Sequence, residues 1–395
     1  MNNPNKGLTP TKPPLWNDPT VRAVVFQVIT LLAVIAFGWY LFENTRHNLE
    51  SRGIASGFGF LDSTAGFGIV QSLIPYGASD TYGYVFWVGL LNTLLVTVLG
   101  IALATAIGFT LGIARLSKNW LISRLAMIYV ETFRNIPLLL QIFFWYFAVL
   151  RNMPAPRDSM SLGDSVFLNI RGLYVPRPIF GEHFSWVVVA LGVAIVAALL
   201  VRRWAQRRQE ATGQPFHTLW AMLGLIVGLP LIVYFLSGQP LSWEVPHLAG
   251  FNFRGGWVVI PELAALLTAL SIYTAAFIAE TVRAGILAVS HGQTEAAGAL
   301  GLRPGLTLRL IIIPQAMRVI IPPLTSQYLN LAKNSTLAAA IGYPDLVSTF
   351  AGTVLNQTGQ AIETIAITMS VYLALSLAIS TLMNWYNKRM ALVER

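Results

Sequence analysis

Side chains able to carry out catalysis are few in this sequence and do not form the patterns that catalysis needs. The chain has no cysteine and five histidines, and no two histidines stand four residues apart on one helix face. None of the lysines has the Gly-Lys-Ser/Thr order of a phosphate-binding loop. We therefore predict no catalytic residue, no metal site and no cofactor, and an enzyme is the weakest functional hypothesis.

Two pairs of opposite charges stand near the ends of apolar stretches. Glu131 and Arg134 are three residues apart, and so are Glu280 and Arg283. At this spacing on a helix, the members of each pair can neutralise one another. We interpret the pairs as structural anchors at the membrane boundary, with a gate or a subunit interface as the alternative.

Lys333 lies deep inside an apolar stretch. A lysine there costs roughly 2.5–3.5 kcal/mol on insertion scales and usually faces a cavity or a partner. Its polar neighbours are Asn330, Asn334, Ser335 and Thr336. Together these side chains could meet the α-carboxylate of an amino acid, which predicts a substrate pathway. The alternative is a lysine that pairs with a carboxylate or with helix-terminal carbonyls, or one that reaches the membrane surface.

Residues 290–314 interrupt the apolar pattern with a polar stretch that begins like a helix. Ser290 and Gln293 have the spacing of a capping box, in which each side chain satisfies a free backbone N–H of the other. This start places Glu295 in the first turn, where the helix dipole favours a negative charge. The following residues are rich in alanine, which favours a helix.

The same stretch also contains signals for a turn and a second short helix. Gly301 suits the left-handed position that ends a helix. Pro304 suits the first turn of the next helix, and we expect Pro314 to close it. These features alone are equally typical of an ordinary capped loop.

The elements that carry these residues are predicted from composition. The 395 residues are 55% hydrophobic and 11% charged, whereas about a quarter of the residues of a soluble protein are charged. We predict an all-α membrane protein, because runs of about 20 apolar residues can span a bilayer. The eight predicted spans are residues 23–42, 85–114, 125–150, 186–201, 219–236, 257–282, 322–340 and 364–386.

The basic residues predict the orientation of these spans. With the N-terminus in the cytosol, 18 of the 26 lysines and arginines lie on the cytosolic side, seven lie outside, and Lys333 lies within the membrane. This bias favours two cytosolic termini. It also explains the net charge of +9 without nucleic acid as a partner. We predict cytosolic tails at 1–20, which is disordered, and at 387–395, and outer segments at 43–84, 151–185 and 237–256.

The stretch 290–314 resembles the EAA loop of ABC importer permeases. Glu295, Ala296 and Ala297 are followed at the family's spacing by Gly301 and by an Ile-x-Leu-Pro segment that ends at Pro314. Ile313 in place of leucine is the one departure. Residues 131–139, 273–280, 322–325 and 333–336 are also similar to the polar amino-acid permeases of this class.

The resemblance implies a type I importer permease core at 85–386, with an insertion at 151–256. The N-terminal anchor at 21–84 and a hairpin within the insertion enlarge the core, as in the Q-type subunits of general L-amino-acid importers. Permeases for glutamate, glutamine, aspartate and asparagine look similar too. Such a subunit sits in the bacterial inner membrane beside an M-type permease, with lipid around both.

Further partners follow from the resemblance. They are two cytosolic ATPases, which clamp the EAA loops through Glu295, Ala296, Ala297, Gly301 and Pro314, and a periplasmic amino-acid-binding protein. The alternative function is an ion-coupled secondary transporter. Such transporters often contain internal repeats, and this sequence shows none.

Overall fold

Helices dominate the structure, a computed structural model that describes residue 16, residues 18–51, residue 53 and residues 56–390. In chain order they are α1 (Pro19–Ser51), α2 (Tyr82–Ala114), α3 (Trp120–Asn135), α4 (Leu138–Phe143), α5 (Phe184–Thr212), α6 (Thr218–Leu236), α7 (Pro261–Leu287), α8 (His291–Ala299), α9 (Pro304–Thr307), α10 (Ile313–Asn334), α11 (Leu355–Thr358) and α12 (Ala361–Met390). Helix α1 begins inside the predicted tail 1–20, most of which lies outside the described residues. At the other end, α12 continues four residues into the predicted tail 387–395.

Seven helical segments among the described residues are long and apolar enough to cross a membrane, and a bent pair makes an eighth. The bent pair corrects the predicted continuous span at 125–150, because α3 and α4 meet at an angle of 105°. Ile136 is extended at the break, and Pro137 follows it, since a residue before proline avoids the helical region. The Gln141 amide stabilises the bend by donating to the carbonyls of Phe133 and Ile136 at 3.0 and 2.9 Å.

Helix α7 lies at the centre of the packed core. It contacts α2, α3, α4 and α10, and most of its inward side chains are fully buried. Helix α2 meets it along a seam of small residues that includes Gly108. A Cβ at Gly108 would lie 2.6 Å from the side chain of Ile278, so only glycine permits this close approach. This seam of small residues is therefore a contact within the chain.

The elements added to this core are loosely attached. Helix α1 has no buried residue among those whose burial the structure describes. The chain just after it is held by a hydrogen bond of 2.6 Å from the Gly57 N–H to the Glu363 carboxylate. Helices α5 and α6 pack against each other, where Ala190, Ala194 and Ala198 give α5 a buried small-residue edge. These elements match the predicted anchor and inserted hairpin.

Short strands form in and next to two of the segments that we predicted to lie outside the membrane, 151–185 and 237–256. They are β1 (Met160–Leu162), β2 (Val166–Asn169), β3 (Gly172–Val175), β4 (Arg177–Phe180), β5 (Leu241–Glu244), β6 (His247–Ala249), β7 (Asn252–Arg254) and β8 (Trp257–Val259). Antiparallel pairing gives a four-stranded sheet in the order β1-β2-β3-β8 and two two-stranded sheets, β4-β5 and β6-β7. The pairing of Leu173 with Val259 brings together the chain before α5 and the chain after α6. The predicted span at 257–282 thus begins with a strand, and helix α7 starts at Pro261.

Candidate functional site

The first helix of the polar stretch forms, but its start differs from the prediction. Helix α8 begins at His291, and the Ser290 side chain makes no capping bond. The Gln293 amide oxygen instead accepts a hydrogen bond from Gln315 at 3.3 Å. The predicted capping box is therefore wrong. Glu295 lies in the second turn rather than the first, exposed to solvent, with its carboxylate 3.0 Å from Nδ1 of His291.

The predicted left-handed turn at Gly301 is confirmed. Its φ is +72°, and its N–H donates to the carbonyl of Gly298 at 2.9 Å. The N–H of Leu302 donates to the carbonyl of Ala297 at 3.0 Å. These two bonds form a Schellman motif, which satisfies the last carbonyls of a helix. Ala297 is buried while Glu295 and Ala296 are exposed, so one side of α8 remains open for contact.

Pro314 does not close the second helix of this stretch. Pro304 opens α9 as predicted, but a π-helical turn at Leu308–Ile312 then leads directly into α10. Pro314 stands in the first turn of α10, where the missing proline N–H costs little. The stretch from Pro304 to Ile341 is thus a single spanning element. Any force on the α8–α9 turn therefore acts on α10 through helical backbone.

Two arginines pair with one carboxylate near the end of α7 closest to α8. Glu280 pairs with Arg283 at 2.6 Å, which confirms one predicted pair. The Arg115 guanidinium, from the end of α2, pairs with the other carboxylate oxygen. We did not predict the contribution of Arg115. Its nearness to Glu280 depends on the packing of α2 against α7, and the sequence marked it only as one of several basic residues beside a span.

The second predicted pair does not form. Among the described residues, neither Glu131 nor Arg134 has an oppositely charged group within 4.0 Å. Glu131 is exposed, and the Arg134 guanidinium lies over the ring of Phe277 at 5.2 Å from its centroid. Arg134 therefore faces α7, against which α3 packs. The predicted self-neutralising pair at 131 and 134 is therefore wrong.

Arg134 and Glu280 line a cavity of about 330 Å³ between α7 and α10. We call it the α7–α10 cavity. Its remaining lining residues are Phe277, Thr281, Ala284, Gly285, Val319, Pro323 and Gln327. The cavity therefore combines ionic and amide groups with small apolar walls on the exposed surface of a spanning bundle.

The residues around Lys333 separate into two groups. Asn330 and Lys333 are exposed on α10, and among the described residues Lys333 has no carboxylate within 4.0 Å. Ser335 is buried and donates to the carbonyl of Ala332 at 2.8 Å. Thr336 donates to the carbonyl of Lys333, also at 2.8 Å, and Asn334 is half-buried beside it. Asn330 and Lys333 thus face outward, while the Ser335 and Thr336 hydroxyls donate to backbone carbonyls at the end of α10.

Asn330 and Lys333 continue an exposed stripe along α10. The stripe contains Val319, Pro323, Ser326, Asn330 and Lys333, at alternating spacings of four and three residues. Such spacings place all five side chains on one helix face. Pro323 also lines the α7–α10 cavity. The cavity and the stripe together form one polar band, which a lipid-facing surface would not contain.

The bundle, the α8–α9 turn and the polar band are the features of a polytopic membrane permease. The family described as the binding-protein-dependent transport system inner membrane component matches residues 97–392. The chain belongs to this family, and it is a permease subunit of an ABC importer in the inner membrane. The family carries the EAA motif, here Glu295, Ala296 and Ala297. Membership decides against the ion-coupled secondary transporter.

Three relatives are similar over nearly the whole chain. YhdX of Escherichia coli (strain K12), assigned to the amino-acid ABC transporter permeases, is 62% identical, with 96% of each chain covered. The general L-amino acid transport system permease protein AapQ of Rhizobium johnstonii is 56% identical, with 96% of this chain and 94% of AapQ covered. The glutamate/glutamine/aspartate/asparagine transport system permease protein BztB of Rhodobacter capsulatus is 45% identical, with 96% of each covered.

Proposed function

We propose that this chain forms the amino-acid path of an ATP-driven importer. The polar band on α10 supports the proposal most strongly. Lys333 in this band is an exposed cation, although it lies in a largely apolar element that can span a membrane. A cation of this kind is suited to the α-carboxylate that all amino acids share. The names of the three relatives agree with amino acids as the substrate class.

The proposed path is completed by other subunits. The relatives are transport permease subunits, and the family implies partnership with further ABC subunits. We infer a second, M-type permease that covers the polar band, two cytosolic ATPases that hydrolyse ATP, and a periplasmic amino-acid-binding protein. This chain contributes no catalytic group and needs no cofactor of its own in this proposal, and lipid surrounds the paired permeases.

The α8–α9 turn is the proposed contact with the ATPase. Glu295 and Ala296 are exposed on α8, and Gly301 fixes the direction in which the chain leaves it. Because Pro314 lies inside the continuous element from Pro304 to Ile341, movement of the turn shifts α10 and its polar stripe. The proposed mechanism therefore links ATP binding to the path through a single helix.

The proposed division of the chain follows the same argument. The permease domain is 85–386, with the coupling loop at 290–314 and the strand-bearing insertion at 151–256, and the anchor region 21–84 precedes it. Both termini are proposed to be cytosolic, which places the turn at α8 beside the ATPases. The segments with strands then face the periplasm.

Uptake by the complete complex in proteoliposomes tests the substrate class. We expect ATP-dependent uptake of a radiolabelled L-amino acid, with unlabelled amino acids competing and sugars and oligopeptides not competing. In the same assay Lys333→Met should lower uptake. Lys118→Met is the matched control, since Lys118 is exposed in the connection between α2 and α3. Uptake of another solute class at rates above those of every amino acid would contradict the proposal.

A further inference from the structure

The α7–α10 cavity contains a cation whose charge is not balanced within the described residues. The Glu280 carboxylate is shared by Arg115 and Arg283. Among the described residues, the Arg134 guanidinium has no carboxylate within 4.0 Å and lies over the ring of Phe277. Two guanidinium groups therefore pair with one carboxylate, and Arg134 adds to the excess of positive charge beside them. Within a membrane such an excess is met by a counter-charge or by a water-filled cavity.

The walls of the cavity fit a small zwitterion. Arg134 supplies planar N–H donors that match a carboxylate, and the Gln327 amide and the Glu280 carboxylate offer acceptors for an ammonium group. The Thr281 hydroxyl donates to its own helix, to the carbonyl of Phe277 at 3.0 Å. Ala284 and Val319 leave room beside these groups, and the volume of about 330 Å³ is ample for one amino acid.

The cavity lies at one end of the polar band and Lys333 lies at the other. Pro323, in the cavity wall, precedes Lys333 by ten residues, which is about 15 Å along a helix that rises about 1.5 Å per residue. Ser326 and Asn330 are exposed on the same face between them. Two cations thus mark the ends of a polar surface longer than one amino acid.

We propose that the α7–α10 cavity is a second binding site for the transported amino acid, with Arg134 binding its α-carboxylate on the α8 side of the membrane. The inference rests on the proposed function that the chain transports amino acids. A carboxylate released from Lys333 would next meet Arg134 before it leaves the permease. In the absence of ATP, amino acid on the α8 side occupies this cavity.

Equilibrium binding to the purified complete complex, without ATP and without binding protein, tests the site. The probe is a radiolabelled mixture of L-amino acids. We expect Arg134→Gln to weaken binding about tenfold, as the loss of a charge-assisted hydrogen bond does. Arg124→Gln, which removes an exposed cation from the same helix, leaves binding unchanged. Equal affinities of the two variants would overturn the inference. So would an absence of wild-type binding in a preparation with normal ATP-driven uptake, which leaves the proposed function intact.

A labelling experiment locates the site even where Arg134→Gln fails to assemble. The chain has no cysteine, so Ala284→Cys places one thiol in the cavity wall, and Leu287→Cys places one on the exposed surface outside it. We expect the amino-acid mixture to slow maleimide labelling at 284 but not at 287, and the corresponding methyl esters to protect neither. Unchanged labelling at 284 contradicts the inference. A thiol at 284 that is never labelled contradicts it too, because a partner side chain would then fill the cavity.

Discussion

Gly301 shows how one residue controls the α8–α9 turn. Its φ of +72° is strained for a β-branched side chain, and no atom lies within 4 Å of an added Cβ. Gly301→Val should therefore act through the backbone alone, with strain on the order of 1–3 kcal/mol. We expect normal membrane insertion, loss of uptake, and ATPase activity that is weakened or no longer stimulated by transport.

The matched control is Gly298→Val, because Gly298 has equally open surroundings but helical backbone. A β-branched residue there is no less favourable for the helix than the glycine it replaces. ATPase activity and uptake are measured on the same purified complexes. Wild-type uptake and stimulated ATPase activity in Gly301→Val would show that the turn is not the coupling element.

Lys333 is the residue by which the proposed path is tested. It is exposed on α10 and has no carboxylate within 4.0 Å among the described residues. Lys333→Met keeps the length of the side chain and removes the charge. We expect uptake to fall and the apparent KM for amino acid to rise while the complex still assembles, with Lys118→Met unchanged. Unaltered rate and affinity would restrict Lys333 to a structural role.

At the scale of elements, the contact between α2 and α7 makes a clear prediction about stability. A Cβ at Gly108 would lie 2.6 Å from Ile278, whereas one at Gly192 on α5 would meet nothing within 4 Å. Gly108→Ala overpacks the core, which costs typically about 1–3 kcal/mol. We expect a lower unfolding temperature in detergent for Gly108→Ala and little change for Gly192→Ala. Equal unfolding temperatures would show that the two helices separate easily.

The helices and strands show how much of the fold can be predicted from the sequence. Apolar length located the spans, because a bilayer requires it, and positive φ at Gly301 followed from local backbone chemistry. The break at Pro137, the continuation of α10 through Pro314 and the meeting of Arg115 with Glu280 depend on tertiary packing. Strands β3 and β8 pair across an inserted hairpin and have four residues or fewer, so neither alternation nor proximity along the chain reveals them.

For the whole molecule, the proposed orientation is tested by labelling from outside the cell. Because the chain has no cysteine, Ser165→Cys and Glu295→Cys each give a single reactive thiol. We expect an impermeant maleimide to label position 165 in intact cells and position 295 only after the membrane is opened. The reverse pattern would invert the topology and would separate the α8–α9 turn from the ATPases.

If ATPases acting on the α8–α9 turn drive import, uptake of amino acids stops whenever that contact is lost. The most direct measurement is uptake into proteoliposomes by the complete complex, by the complex without ATPase subunits, and by the complex with Gly301→Val. We expect uptake that requires ATP and binding protein, and no uptake without ATPases or with Gly301→Val. Concentrative uptake by the permeases alone, driven by an ion gradient, would contradict it.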